Sequence, residues 1–205
     1  MPSATLVNDG SYLPSGHSGH PFINVFNDTG NRAYLGEIFS EKMKTILRFT
    51  LLATQGETIV GASLKLTASG PVGAGGAYTL RANASDNAAW PAGATSADKI
   101  TDAEGRTLTS ASVSVLFTSS VEITPHDFDI TAVIQEIVNR AGWVSGSNVL
   151  LFFGETGDFS SGAYQSIVTS EDANGPAPTL TFAGSSGSTN ATSLAWMMID
   201  EQEAT

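Results

Sequence analysis

Residues 59–68 read Ile59-Val60-Gly61-Ala62-Ser63-Leu64-Lys65-Leu66-Thr67-Ala68. Ala62, Leu64 and Leu66 alternate with Ser63, Lys65 and Thr67, the period of two that sends one set of side chains to each face of a strand. Leu64 and Leu66 are therefore expected in a core and Lys65 in solvent. The same period recurs outward from this segment. It runs through Thr45-Ile46-Leu47-Arg48-Phe49-Thr50-Leu51, through Tyr78, Leu80 and Ala82 in residues 77–83, and through Val113 and Val115 in residues 111–117. Shorter strand signals are Val121-Glu122-Ile123-Thr124, Phe128-Asp129-Ile130 and Thr179-Leu180-Thr181-Phe182, while residues 164–169 are mixed and residues 148–153 form one continuous apolar run.

One segment carries helical spacing instead. In residues 131–140, Val133, Ile134, Ile137 and Val138 share a face; Asp129 or Thr131 can accept the orphan N–H groups at the start, Arg140 complements the C-terminal dipole, and Gly142 offers a left-handed C′ position. Many short strands and one helix predict an all-β fold, a two-sheet jelly-roll-like β-sandwich with one short α-helix. The organisation expected is an N-terminal arm with a first strand over residues 1–44, a sandwich over 45–183, and a tail over 184–205. The tail joins Gly184-Ser185-Ser186-Gly187-Ser188 to Leu194, Trp196, Met197, Met198 and Ile199, followed by Asp200, Glu201 and Glu203. Those five apolar residues are the expected partner contacts.

Composition narrows the function classes. The chain has 205 residues, 41% of them hydrophobic and 14% charged, enough for a core without staples. Twenty acidic against nine basic residues give a formal charge of -11, which repels a phosphate backbone, so no nucleic-acid partner is expected. With no cysteine there is neither a disulfide nor a thiolate ligand or nucleophile. No segment reaches about 18 uninterrupted apolar residues, so no membrane span is expected. Met1-Pro2-Ser3-Ala4 has neither a basic n-region nor an apolar h-region, so no signal peptide is expected.

Ile46-Leu47-Arg48-Phe49-Thr50-Leu51 with the following Gly56-Glu57-Thr58-Ile59-Val60 and Ala62-Ser63-Leu64-Lys65-Leu66, Leu80-Arg81-Ala82-Asn83-Ala84-Ser85-Asp86-Asn87-Ala88-Ala89-Trp90, the run from Asp129 through Trp143, and Pro176-Ala177-Pro178-Thr179-Leu180 carry a resemblance. In their order, from about residue 45 to 183, the chain resembles the DNRLRE (disaggregatase-related) β-sandwich modules, which look like carbohydrate-binding modules of secreted bacterial proteins. The resemblance implies a sandwich without catalytic machinery and leaves the ligand unspecified. Such modules usually stand in tandem behind a secretion signal, whereas here one copy follows its own Met1.

Motifs for chemistry are sparse. The histidines are His17, His20 and His126, and there is no G-x-S-x-G elbow, H-E-x-x-H pair or Walker loop, so neither enzyme activity nor a cofactor is expected. His17 and His20 lack a third ligand nearby and read as a solvated turn. Asp127 and Asp129 share a strand face, but a helix cap accounts for Asp129. Asp86, Asp98, Asp102 and Glu104 have oxygen ligands without calcium-loop spacing, so no metal is expected. Trp143, just past the helix, is expected in the core; Trp90, before Pro91, is the candidate for stacking on a sugar ring. Asn27, Asn83 and Asn190 head N-x-S/T triplets that chance alone supplies in a Ser/Thr-rich chain.

These readings converge on a non-catalytic structural protein of a bacteriophage virion, a capsid decoration (cement) protein or a head or tail appendage on the virion surface. Its expected partners are capsid or other virion proteins, with self-association as a trimer. The alternative is an extracellular glycan-binding accessory module, with a cell-surface glycan as ligand; a scaffold domain of an adhesin is a third class.

Overall fold

The structure, a computed structural model, describes residues 4–12, 26–27, 32–38, 41–68, 77–117, 124–154, 164–172 and 175–185. These form an all-β sandwich of two antiparallel sheets. The first sheet runs β2 (Phe26–Asn27), β1 (Ala4–Tyr12), β4 (Glu41–Leu51), β9 (Asn148–Phe153), β6 (Ala77–Ala82), β7 (Val113–Leu116). In the second, β5 (Thr58–Ala68) pairs with β8 (Thr124–Asp129) along one edge, and with β11 (Thr179–Ser185) then β10 (Tyr164–Val168) along the other. β10 continues to β3 (Arg32–Ile38), and β3 pairs with the first residues of β4. β4 thus serves both sheets: Lys42 and Met43 face β3, whereas Thr45 through Thr50 face β9. At the crossover Thr45 is fully buried, and its hydroxyl donates to the Tyr34 carbonyl at 2.8 Å.

The period of two in residues 59–68 has the expected outcome. Ala62, Leu64 and Leu66 enter the core between the sheets with Leu47, Phe49, Leu51, Phe128, Leu180 and Phe182, and Lys65 is exposed. The apolar run of β9 divides by parity, because both faces of that strand are covered. Val149, Leu151 and Phe153 join the main core, while Leu150 and Phe152 turn outward into a second cluster with Tyr12, Ile46, Ile100 and Ala103.

Three sequence expectations are corrected here. Residues 1–44 are more than an arm with one strand, since β1, β2 and β3 all take part in the sheets. A second helix, α1 (Ser96–Glu104), lies in what read as a polar connection. Thr95 and Asp98 form a reciprocal capping box at its start, a T-x-x-D signature that marks a helix even where the apolar face is thin. The helix predicted over 131–140 is α2 (Thr131–Val138), but it ends at Asn139 in right-handed geometry, and Gly142 is not among the positive-φ glycines. A Cβ on Gly142 would press on the end of the Asp86 side chain, which would have to shift to admit it.

α2 also completes the edge of β5. β8 pairs with residues 63–68 of that edge, and then the chain turns into the helix. The next groups along the edge are taken by helix side chains. Thr131 Oγ1 accepts the Ala62 N–H at 2.8 Å, while the Gln135 amide accepts the Ile59 N–H at 2.7 Å and donates to the Glu57 carbonyl at 2.9 Å. The apolar face of α2, Val133, Ile134, Ile137 and Val138, is buried, each side chain contributing about 1.5–3 kcal/mol of gross transfer energy. Truncation of Gln135 to Ala leaves the Ile59 N–H and the Glu57 carbonyl without their partner. Urea melts should show a loss of about 1–3 kcal/mol for Gln135→Ala, and a variant as stable as the parent would contradict this role.

Candidate functional site

The two outer faces of the sandwich differ. The first sheet's outer face is covered by the excursion between β6 and β7, where Ala88, Trp90, Ile100, Ala103 and Leu108 pack over Ile46, Leu150 and Phe152. The second sheet carries an open groove of about 630 Å³, inside the range of small-ligand sites. It lies where β8 hands over to α2. The parity that buries Ala62, Leu64, Phe128, Leu180 and Phe182 turns Gly61, Ser63, Asp127, Asp129, Thr181 and Ala183 outward, and the registers set Asp129, Ser63 and Thr181 side by side. Val60 lines one wall at a bulge, where the register with β11 shifts between Ala183 and Gly184.

The floor is therefore made of small residues, with the hydroxyls of Ser63 and Thr181 among glycine and alanine, and the rim is acidic. Asp129 Oδ1 accepts both the N–H of Thr131 at 2.9 Å and its hydroxyl at 2.5 Å, and these bonds hold its pKa below the usual carboxylate range. That is the service to the start of α2 expected of Asp129, delivered through the first helical N–H. Asp127 sits 3.7 Å from Lys65 Nζ, and both side chains are so exposed that the pair contributes little to stability. Asp127 and the hydroxyls of Ser63 and Thr181 can accept from, or donate to, a polyhydroxylated ligand. Phe182, the aromatic residue of the lining, is 7% exposed and offers no stacking platform.

The acidic residues of the polar connection are brought into separate structural pairs. Asp86 meets Arg140 at 2.6 Å, and Asp98 caps α1. Asp102 pairs with Arg106 at 2.6 Å and accepts the Ala92 N–H at 3.0 Å; burial raises its pKa, but Arg106 and that N–H outweigh burial and hold it low. Glu104 accepts from the Tyr12 hydroxyl at 2.7 Å and from Lys44 at 2.9 Å, clamping α1 onto β1 and β4. Among the described residues no three His, Cys, Asp or Glu side chains converge as a metal site.

The tryptophans part company. Trp143 is 2% exposed and its indole N–H donates to the Ala53 carbonyl at 3.0 Å, as a core residue's should. Trp90 is partly buried against the Ile46, Leu150 and Phe152 cluster, on the face opposite the groove. His126 lies at the rim of the core, its ring 5.1 Å from that of Phe117, and burial lowers its pKa against the opposing charge of Asp127. Asn83 is buried, with its amide nitrogen donating to Thr107. His17, His20, Asn190 and the apolar residues Leu194, Trp196, Met197, Met198 and Ile199 lie outside the described residues. No described helix is long and apolar enough to cross a membrane.

One chemically unusual residue had no signal in the sequence. Asp9, in the turn-like Asn8-Asp9-Gly10, is instead a strand residue opposite Leu47 and only 2% exposed. Its Oδ2 accepts the Ser170 N–H at 2.8 Å, while Oδ1 is buried without a hydrogen-bond partner. Burial pushes its pKa up to about 6; the charge of Glu171 adds to this and the Ser170 N–H opposes it. Compared with protein families and with curated proteins, the chain matches none of the family models and none of the curated sequences.

Because Asp9 binds its proton more tightly in the folded chain, its contribution is most favourable below about pH 4 and is lost as pH rises through about 6. Replacement by Asn removes the buried charge and keeps an acceptor for Ser170. Asp9→Asn should therefore stabilise the protein at pH 7.5, by an amount up to about 3 kcal/mol, and leave it unchanged at pH 4. Thermal melts across that range would show a gain that grows with pH; equal gains at both ends would reject the assignment.

Proposed function

We propose that this chain is a non-catalytic structural protein of a bacteriophage virion, a capsid decoration (cement) protein or a head or tail appendage displayed on the virion surface. The observation that carries the reading is the order of sequence that follows the last core strand of the sandwich. Its core closes through Leu180 and Phe182 of β11, and β11 runs on to Ser185; the apolar residues at 194–199 come only after a further Gly/Ser/Thr-rich stretch. A sandwich followed in sequence by a Gly/Ser/Thr-rich stretch and a short apolar segment suits a protein that anchors to a larger surface through many copies. The resemblance to DNRLRE sandwich modules and the acidic charge fit a particle-surface role, and a closed trimer is the assembly proposed.

The groove on the second sheet favours a second reading, a glycan-binding accessory module working outside the cell. The hydroxyls of Ser63 and Thr181 and the acidic rim support that role, although no aromatic platform accompanies them.

The two readings separate in one set of sedimentation experiments on the full chain. Trp196→Asp with Ile199→Asp should leave the thermal melt unchanged and abolish co-sedimentation with capsids. Gly61→Phe fills the groove, where a Cβ meets open space, and should leave capsid binding intact. If the parent chain instead sediments with insoluble polysaccharide and only Gly61→Phe abolishes this, the glycan reading replaces the virion one. Light scattering should give a trimer.

A further inference from the structure

The rows of side chains across the second sheet show what the groove lacks. Lys65 of β5 stands opposite Asp127 of β8, and its Nζ lies 3.7 Å from that carboxylate. One row on, Ser63 stands between Asp129 and Thr181, so the second acid of β8 faces a hydroxyl where the first faces an ammonium. In the row after that, Gly61 pairs with Ala183, and a Cβ built on Gly61 meets open space. The groove's lining thus holds two carboxylates, about 7 Å apart along one strand face, and no basic side chain.

Asp129 keeps its charge. The N–H and hydroxyl of Thr131 both bond its Oδ1 and hold its pKa below the usual carboxylate range, but neither donor brings a positive charge. The groove also lacks an aromatic platform, so stacking cannot hold a sugar there. At about 630 Å³ it has room for sugar rings, and the hydroxyls of Ser63 and Thr181 can each donate and accept. An ammonium carried on such a ring supplies the missing attraction, because a hydrogen bond between charged partners is about twice as strong as a neutral one. The chain's own Lys65 already answers Asp127 in this way.

We propose that the groove takes a glycan bearing free amino groups, an unacetylated amino sugar whose ammonium sits between Asp127 and Asp129 while its hydroxyls meet Ser63 and Thr181. The inference rests on the glycan reading of the groove and adds the class of sugar. A lysine side chain of a peptide would bring the same ammonium but leave the two hydroxyls unmatched. Lys65 is a competitor for Asp127, and removing it should favour the ligand.

The test is calorimetric titration of the full chain at pH 5.5 and low salt with three probes: the β-1,4-linked glucosamine hexamer, its N-acetylated counterpart, and tetralysine. The glucosamine hexamer should bind at least about tenfold more tightly than either of the others, and less tightly as salt is raised. Asp127→Asn, at an exposed side chain, should weaken it about fivefold without moving the thermal melt. Lys65→Ala should strengthen it about threefold, whereas Lys99→Ala, the same change of charge on α1 over the other sheet, should not. Gly61→Phe should abolish binding without altering charge, which separates the groove from a general attraction of polycations to an acidic chain. Thr181→Leu, also neutral and at an exposed position, should weaken binding and covers the case in which Gly61→Phe fails to fold. Binding that survives both neutral variants would overturn the proposal. Equal affinity for the two hexamers would overturn the amino-sugar class and leave the glycan reading to the polysaccharide sedimentation, and tetralysine binding as tightly as the glucosamine hexamer would assign the groove to a basic peptide instead.

Discussion

A strand edge buried inside a sandwich must have every N–H and carbonyl answered, and the edge of β5 facing β8 is where this chain meets that demand with two kinds of partner. β8 supplies a regular ladder up to Asp129, and beyond it Thr131 and Gln135 supply side-chain equivalents of a strand's peptide groups. The substitution works only if α2 lies against β5 in one rotation, and that rotation sets the direction of every other helix side chain. Glu136 then reaches the N–H groups of Ser110 and Ala111 at the start of β7, and Arg140 reaches Asp86 in the excursion over the first sheet. One short helix thus fixes the spacing of the two sheets at that end.

The same economy explains why the groove is on the second sheet. The connection from β6 to β7 is long enough to fold α1 back over the first sheet, and the apolar parity of β9 and Ile46 gives it something to cover. The second sheet's outward parity is Gly61, Ser63, Thr181 and Ala183, which holds no apolar packing element. Edge strand β8 carries Pro125, Asp127 and Asp129, a composition that resists pairing with another chain's edge. Strand addition along that edge is thereby disfavoured.

How much of this was legible in the sequence depended on which force placed each residue. Leu64, Leu66, Trp143 and the α2 face were readable because burial imposes a period, and a period survives in sequence. β1 was not, because Asn8-Asp9-Gly10-Ser11 has the composition of a turn, and only pairing with β4 makes it a strand with a buried carboxyl. α1 was marked only by its capping box, its face being two buried residues, Ile100 and Ala103. The groove was partly legible: Ser63 was visible on an outward face, but the neighbours that frame it, Asp129 and Thr181, come from strands whose registers no local pattern fixes.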